Sequence, residues 1–362
     1  MKIVIHGLSI TSSWGNGHAT TYRALVRELS ARGHEVTFIE RDVPWYAANR
    51  DLDHPPFCET HLYSSVPSLK RRFRSLIRDA DAVIVGSFVP EGVAVADWIL
   101  STAQGVTAFY DIDTPVTMAK LEARDYEYLD PSLIPRFDFY LSFTGGPILD
   151  VIEQRYRSPM ARPLYCCVDP SLYFPEAVDN EYDLGYLGTY SDDRQPMLRR
   201  LLIRPAHRWR KGRFIVAGPL YPETIRWPRN VARIEHLPPD RHRAFYNAQR
   251  FTLNITRAAM VKAGYSPSVR LFEAAACGVP IISDSWPGLE TFFDIGRELL
   301  VARSSDEALA FVRELDERER HRIGMRARRR VLRDHTAAHR AAELERIIVE
   351  VRRGDATAAS SA

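Results

Sequence analysis

The amino-acid sequence predicts an α/β protein built from two parallel-sheet domains. Three observations carry this. The chain has 362 residues, more than one ordinary domain uses. Short runs rich in Val, Ile and Phe alternate with segments of helical spacing, the pattern of βαβ units. The alternation pauses at a proline- and acid-rich stretch, residues 166–183, and then restarts. The strand-like runs are nearly continuous in apolar character, as in sheets covered by helices on both faces.

In chain order, Lys2 to Leu8 is the first expected strand, and the loop SITSSWGNG follows it. From His18 to Arg32, Tyr22, Leu25, Val26 and Leu29 fall on one helical face. Gly33-His34 ends that helix and EVTFIE is the next strand. Further strands are expected at 82–88, 106–112 and 137–143. After the connection they are expected at 184–188, 213–218, 232–237, 251–256, 279–284 and 299–303. The boundaries expected are 1–165 and 166–334 for the two domains. A C-terminal helix over 335–353 is expected to pack back on the first domain, and GDATAASSA, 354–362, has the composition of a flexible tail. Two such domains place a ligand cleft between the carboxyl ends of their strands.

Hydrophobic content of 45% and charged content of 26% are those of a globular protein, and the net charge of +3 does not imply nucleic-acid binding. Lysine occurs only at 2, 70, 120, 211 and 262, so arginine supplies nearly all the positive charge. Cys58, Cys166, Cys167 and Cys277 form no CxxC or Cys/His spacing, so neither a disulfide framework nor a metal site is expected. No apolar run reaches the roughly 18 residues of a membrane span, and MKIVIHGL enters a strand directly, without a signal peptide's apolar stretch. A cytoplasmic location is expected. Two basic runs with interleaved apolar residues, 68–78 and 325–333, read as solvated helix faces in preference to interfacial membrane contacts.

The first loop offers an anion-binding helix start, with Gly15 and Gly17 allowing close backbone approach. A dinucleotide site is disfavoured. Glu40 and Asp42 stand where a ribose-binding acid belongs, but Gly15-Asn16-Gly17-His18-Ala19-Thr20 supplies two of three glycines and the loop is too long. His18 is either a helix-start histidine bonded to nearby backbone or a general base. In YDIDTP, Asp111 and Asp113 share a face if the strand continues. Two carboxylates there suit a metal, a base or the orienting of sugar hydroxyls, with the metal discounted, or else Asp113 or Thr114 caps a helix that opens with Pro115.

In the second half, EYDLGYLGTYSDDRQPMLRRLL reads as strand, glycine turn and helix, with Gly188 open to a ligand and Arg194 in reach of a phosphate. Residues 266–284, SPSVRLFEAAACGVPIISD, hold the clearest local logic. Ser266-Pro267-Ser268 opens a helix whose free N–H groups suit a phosphate. Glu273 follows, and Ala274 to Cys277 allow close packing on the sheet. Gly278 and Pro280 stop the helix.

RLFEAAACGVPIISD, followed by Gly288-Leu289-Glu290, resembles the donor-binding signature of GT-B glycosyltransferases. It is nearest the family-4-like and spore-maturation-protein-like groups. RGHEVTFIERD is similar to their second-strand entry and VDPSLYFP to their linker. LGYLGTYSDDR resembles their diphosphate loop, and HLPPDRHRAFYNAQRFTLNIT their approach to the base pocket. The resemblance implies two Rossmann-like domains facing an interdomain cleft, an acceptor-side first domain and a nucleotide-sugar-binding second one.

It further implies that Glu273 binds the ribose hydroxyls, and that Ser268, Gly188 and Arg194 hold the diphosphate. Arg270 is a phosphate contact or a partner of Glu273, and backbone near His236 and Leu237 meets the base. A small-molecule or glycan acceptor would lie near Gly15, Gly17 and Asp111, with His18 or Asp113 as base if the reaction inverts. No cofactor or metal is required. Tyr265 stands where many family-4 enzymes carry a first glutamate, which leaves the stereochemistry open. The alternatives are a nucleotide-sugar epimerase on the same fold and a non-catalytic nucleotide-binding protein.

Overall fold

The computed structural model describes residues 1–360. Two compact units divide the chain: Met1–Cys166 with the segment from Ala337 on, and Cys167–Thr336.

The first unit is built on a seven-stranded, all-parallel sheet in the order β3-β2-β1-β4-β5-β6-β7. Its strands are β1 (Lys2–His6), β2 (Glu35–Arg41), β3 (Glu59–Tyr63), β4 (Ala82–Gly86), β5 (Val106–Asp111), β6 (Phe139–Ser142) and β7 (Ala161–Pro163). Every residue of β4, β5 and β6 is buried, which explains their unbroken apolar character. The two edge strands escaped the sequence reading. β3 is ETHLY, mostly half-exposed, and β7 is only three residues long; neither carries an apolar run.

The helix Gly17–Ala31 buries Ala19, Tyr22, Leu25, Val26 and Leu29 on the sheet. The helix Ala337–Ser360 returns to the first unit and packs on it. Arg32 Nε reaches Glu345 at 2.7 Å, Arg340 Nε reaches Tyr165 O at 3.0 Å, and Arg352 reaches Asp81 at 2.8 Å. This helix runs beyond Arg353 into the stretch expected as a tail, because alanine-rich sequence propagates a helix already formed. Residues 361 and 362, also expected as tail, lie outside the described residues.

The second unit is a six-stranded parallel sheet, order β10-β9-β8-β11-β12-β13. Its strands are β8 (Tyr182–Leu187), β9 (Phe214–Ala217), β10 (Val231–Ile234), β11 (Gln249–Asn254), β12 (Ile281–Ser283) and β13 (Leu300–Val301). In each unit the strand order reverses beside the first strand, between β1 and β4 and between β8 and β11. Ligands of open α/β sheets bind at such switch points, beyond the carboxyl ends of the strands.

The helix Val66–Arg78 contains the first basic run. Its Val66, Leu69, Phe73 and Ile77 are buried in the core and Leu76 is half-buried, so its exposed face is mainly cationic. The second run lies in the helix Glu317–Asp334, where Ala327 and Val331 are buried. No helix among the described residues is long and apolar enough to cross a membrane.

Candidate functional site

At the carboxyl end of β1, the loop before the first helix is held by two carboxylates. Glu40, at the end of β2, is fully buried. It accepts from Ser9 Oγ (3.2 Å), Ile10 N (2.6 Å), Thr11 N (3.2 Å) and Thr11 Oγ1. The acid that a dinucleotide enzyme would offer to ribose is thus consumed in shaping the loop. Asp51 performs the same service from the other side. It accepts from Ser13 N at 2.9 Å and takes a two-pronged pair from Arg23 at 2.7 and 2.9 Å.

Asn16 caps the first helix, accepting from His18 N at 3.0 Å. This fixes the backbone of His18 and frees its ring. The His18 Nε2 stands 2.8 Å from Asp113 Oδ2. Phe88 packs edge-on against the imidazole, with ring centres 5.7 Å apart. Nδ1 is buried and has no partner among the described residues. The side chain of His18 is 10% exposed and that of Asp113 is 42% exposed. The capping role considered for Asp113 is not realised: it precedes the helix Thr114–Glu122, yet its carboxylate makes no cap bond and turns to His18.

Asp111 departs from expectation more sharply. β5 ends at Asp111, so strand alternation does not carry to Asp113. Asp111 is fully buried and cannot meet an acceptor. It accepts from Thr117 Oγ1 (2.6 Å), Tyr140 Oη and Asp113 N (3.3 Å). Burial pushes its carboxyl up to about 6 despite these donors. Its task is to fix the turn that presents Asp113. Gly15 on the loop and Gly17 at the first position of the helix both lie exposed near His18.

In the second unit, Gly188 follows β8. Its N–H is spent on Ala217 O (2.9 Å), so it offers no donor to a ligand. Its missing side chain matters instead. A Cβ there would lie 2.6 Å from Tyr186 Oη and 2.9 Å from Arg270 Nη2. Arg270 uses this space: Nε donates to Leu187 O at 2.5 Å, Nη1 to Asn254 Oδ1 at 3.0 Å, and the guanidinium lies 5.0 Å from the centre of the Tyr186 ring. The option that it pairs with Glu273 is not taken.

Arg194 donates to Thr189 O at 2.6 Å, while its buried Nε has no partner among the described residues. Burial holds its pKa below the usual arginine value, and the positive charges of Arg270 and Arg257 add to this. No carboxylate lies within ion-pair distance of Arg194, Arg257 or Arg270 among the described residues. Ser268 precedes the helix Val269–Ala276 but does not cap it through its side chain; its Oγ donates to Asn254 Oδ1 at 2.9 Å. Asn254, at the end of β11, is the organiser that sequence reasoning missed. It joins Ser268 and Arg270 to Ser283 of β12 through its Nδ2 at 2.9 Å.

Glu273 is 5% exposed. Tyr246 Oη donates to its Oε2 at 3.0 Å, and His242 Nδ1 stands 3.9 Å away. The other ring nitrogen of His242 is 3.2 Å from Leu237 O. His242 thus bonds the backbone expected at the base and lies beside the glutamate without a hydrogen bond to it; His236 is exposed. Tyr246 and His242 carried no motif of their own, and their spacing to Glu273, 27 and 31 residues, has no local meaning. Tyr265, at the position of the absent glutamate, adopts a left-handed φ of 48° and its N–H bonds Pro287 O at 2.7 Å. No group of three or more His, Cys, Asp and Glu side chains suited to a metal ion occurs among the described residues.

Residues 194–346 match the family model described as glycosyl transferase-like. No curated relative matches the sequence. Among solved structures, sucrose-phosphate synthase from Thermosynechococcus elongatus is similar, with a TM-score of 0.72, 12% identity, and coverage of 98% of this chain and 100% of that one. HepE from Anabaena, solved with UDP and glucose, is similar at a TM-score of 0.69 and 12% identity, covering 97% and 100%. An alpha-glucosyltransferase in complex with UDP gives 0.73 and 13%, covering 96% and 100%. These likenesses establish the fold: two parallel-sheet α/β domains of the GT-B class.

Proposed function

We propose that this protein is a glycosyltransferase that moves a sugar from a nucleotide-sugar to an acceptor hydroxyl or amine without a metal ion. One observation carries the reading. Arg194, Arg257 and Arg270 converge at the carboxyl ends of β8 and β11 without an ion-pair partner among the described residues, and Glu273 stands one helical turn beyond Arg270. Guanidinium groups free of ion pairs, those of Arg194 and Arg270 half-buried, suit a diphosphate, and a buried carboxylate suits ribose hydroxyls. The glycosyl transferase-like match over 194–346 covers this same region and supports the reading.

In this scheme the diphosphate rests on Arg194, Arg270 and the helix start at Ser268, with Gly188 clearing the space. Glu273 takes the ribose, and the backbone at His236 and Leu237 borders the base. As the bond between the anomeric carbon and the phosphate oxygen breaks, negative charge grows on the leaving diphosphate. The arginines stabilise it, the work a metal does elsewhere.

The acceptor belongs to the first unit, near Gly15 and Gly17. The new bond forms between the acceptor oxygen or nitrogen and the anomeric carbon, and the acceptor's proton must leave. With His18 Nε2–H donating to Asp113, the free imidazole nitrogen is buried, whereas Asp113 remains 42% exposed. Asp113 is therefore the group that receives the proton in an inverting reaction, and His18 positions it.

A thermal-shift panel of UDP, GDP, ADP and TDP tests the donor site, with UDP first because HepE and the alpha-glucosyltransferase were solved with it. Wild type should rise in melting temperature with one nucleotide, and Glu273→Ala and Arg194→Ala should rise less. Stabilisation by none of the four would sink the donor reading. Sugar-nucleotide turnover that needs no acceptor would point to the epimerase instead.

A further inference from the structure

The helical segment Gln195–Arg208 is not a regular α-helix. Its middle, Arg199–Ile203, is a π-turn. Pro205 accounts for this: it has no N–H, and its ring crowds the carbonyl one turn back. The Arg204 N–H closes on Arg199 O, five residues back, which leaves Arg200 O without its α-helical donor. Ser305, the first residue of the helix Ser305–Glu314, takes that place, donating from Oγ to Arg200 O at 2.6 Å. The loop around 303–306 is thus stapled to the widened turn. Such turns recur at functional sites.

A cleft of about 590 Å³ lies there, lined by Arg200, Arg204, His207, Arg208, Arg303 and Asp306, with Ser304 and Ser305. Its one carboxylate, Asp306, is taken by Arg208 at 2.5 Å. Arg200, Arg204 and Arg303 have no ion-pair partner among the described residues. Arg200, Arg204 and Arg208 lie within nine residues of one another and line the same cleft. Arg194 and Arg270 do not line this cleft.

We propose that this cleft is a second anion site that binds a phosphoryl or pyrophosphoryl group, separate from the donor site. Guanidinium forks match paired phosphate oxygens, and three of them are free to converge. The phosphate is carried either by a soluble phosphate compound or by a phospholipid headgroup; the recognition chemistry is the same.

Inorganic pyrophosphate titrated into the full chain by calorimetry tests this. Arg194→Ser/Arg257→Ser/Arg270→Ser removes the donor-site arginines, and pyrophosphate should still bind. Adding Arg200→Ser/Arg204→Ser should weaken that binding about tenfold or more, the equivalent of one lost charge-assisted contact. Because the changed side chains are exposed and make no ion pair among the described residues, the unliganded melting temperature should stay level. No pyrophosphate binding in the Arg194→Ser/Arg257→Ser/Arg270→Ser chain, or undiminished binding after the further pair of substitutions, would overturn the proposal.

Flotation with phosphatidylcholine vesicles, with and without phosphatidic acid, separates the two sources. Flotation that requires phosphatidic acid and is lost in Arg200→Ser/Arg204→Ser assigns the headgroup. Pyrophosphate binding without flotation assigns a soluble phosphate.

Discussion

His18 and Asp113 meet at 2.8 Å although 95 residues separate them in sequence. One follows β1 and the other follows β5, and the parallel sheet brings both carboxyl-end loops to one edge. The pair is unequally exposed, with His18 the more buried member.

Asp113→Asn should lower kcat about a hundredfold or more, the usual scale for losing a general base. His18→Gln should cost about tenfold, through lost positioning of the carboxylate. Both variants should keep the wild-type nucleotide-induced melting shift. Full turnover in Asp113→Asn would show that the reaction needs no base there.

Asp111 gives a stability signature. Its carboxyl is raised by burial from 3.8 to about 6, so between these values the folded protein holds a proton the unfolded chain has released. The sign follows: its contribution is fully present below pH 3.8 and is lost as pH rises through about 6, by about 3 kcal/mol in all. Asp111→Asn should remove this part of the pH dependence, measured by urea denaturation between pH 4 and 7. An identical slope in variant and wild type would refute the assignment.

Gly188→Ala should act on binding more than on folding. The new methyl would meet Tyr186 Oη and Arg270 Nη2, the ends of side chains that can move. Displacing the guanidinium should weaken nucleotide affinity about tenfold, read by calorimetry, with little change in melting temperature.

Tyr246→Phe should destabilise by about 1–3 kcal/mol, because the buried Glu273 loses a donor at 3.0 Å. Urea denaturation measures it. A neutral result would mean that Glu273 draws its solvation from elsewhere.

Gly288→Ala should also destabilise by about 1–3 kcal/mol. Its φ of 87° is left-handed, and a Cβ would lie 2.4 Å from the Tyr265 ring. In a Tyr265→Ala background the clash disappears but the backbone strain persists, so a double-mutant cycle should show positive coupling.

The sequence by itself determined the two parallel-sheet units and most of their strands. Buried strands such as AVIVG carry their environment in their composition, and the helix after Ser268 carries its stop in Gly278. Edge strands β3 and β7 stayed hidden because half-exposed or very short pairing leaves no apolar run. The candidate residues were legible as residue types near strand ends, but their tasks were not. Asp111 and Asp113 look equivalent in YDIDTP; the end of β5 buries one and exposes the other. Glu40 resembles a ribose acid until four donors from the first loop surround it. Asn254 and His242 lay inside a quoted stretch without being singled out, yet Asn254 ties Arg270 to Ser268, and His242 bonds Leu237 beside Glu273. Periodicity is a local property of the chain. Which polar atoms are spent and which remain free is settled by contacts between distant segments, and only the folded sheet brings those segments to one edge.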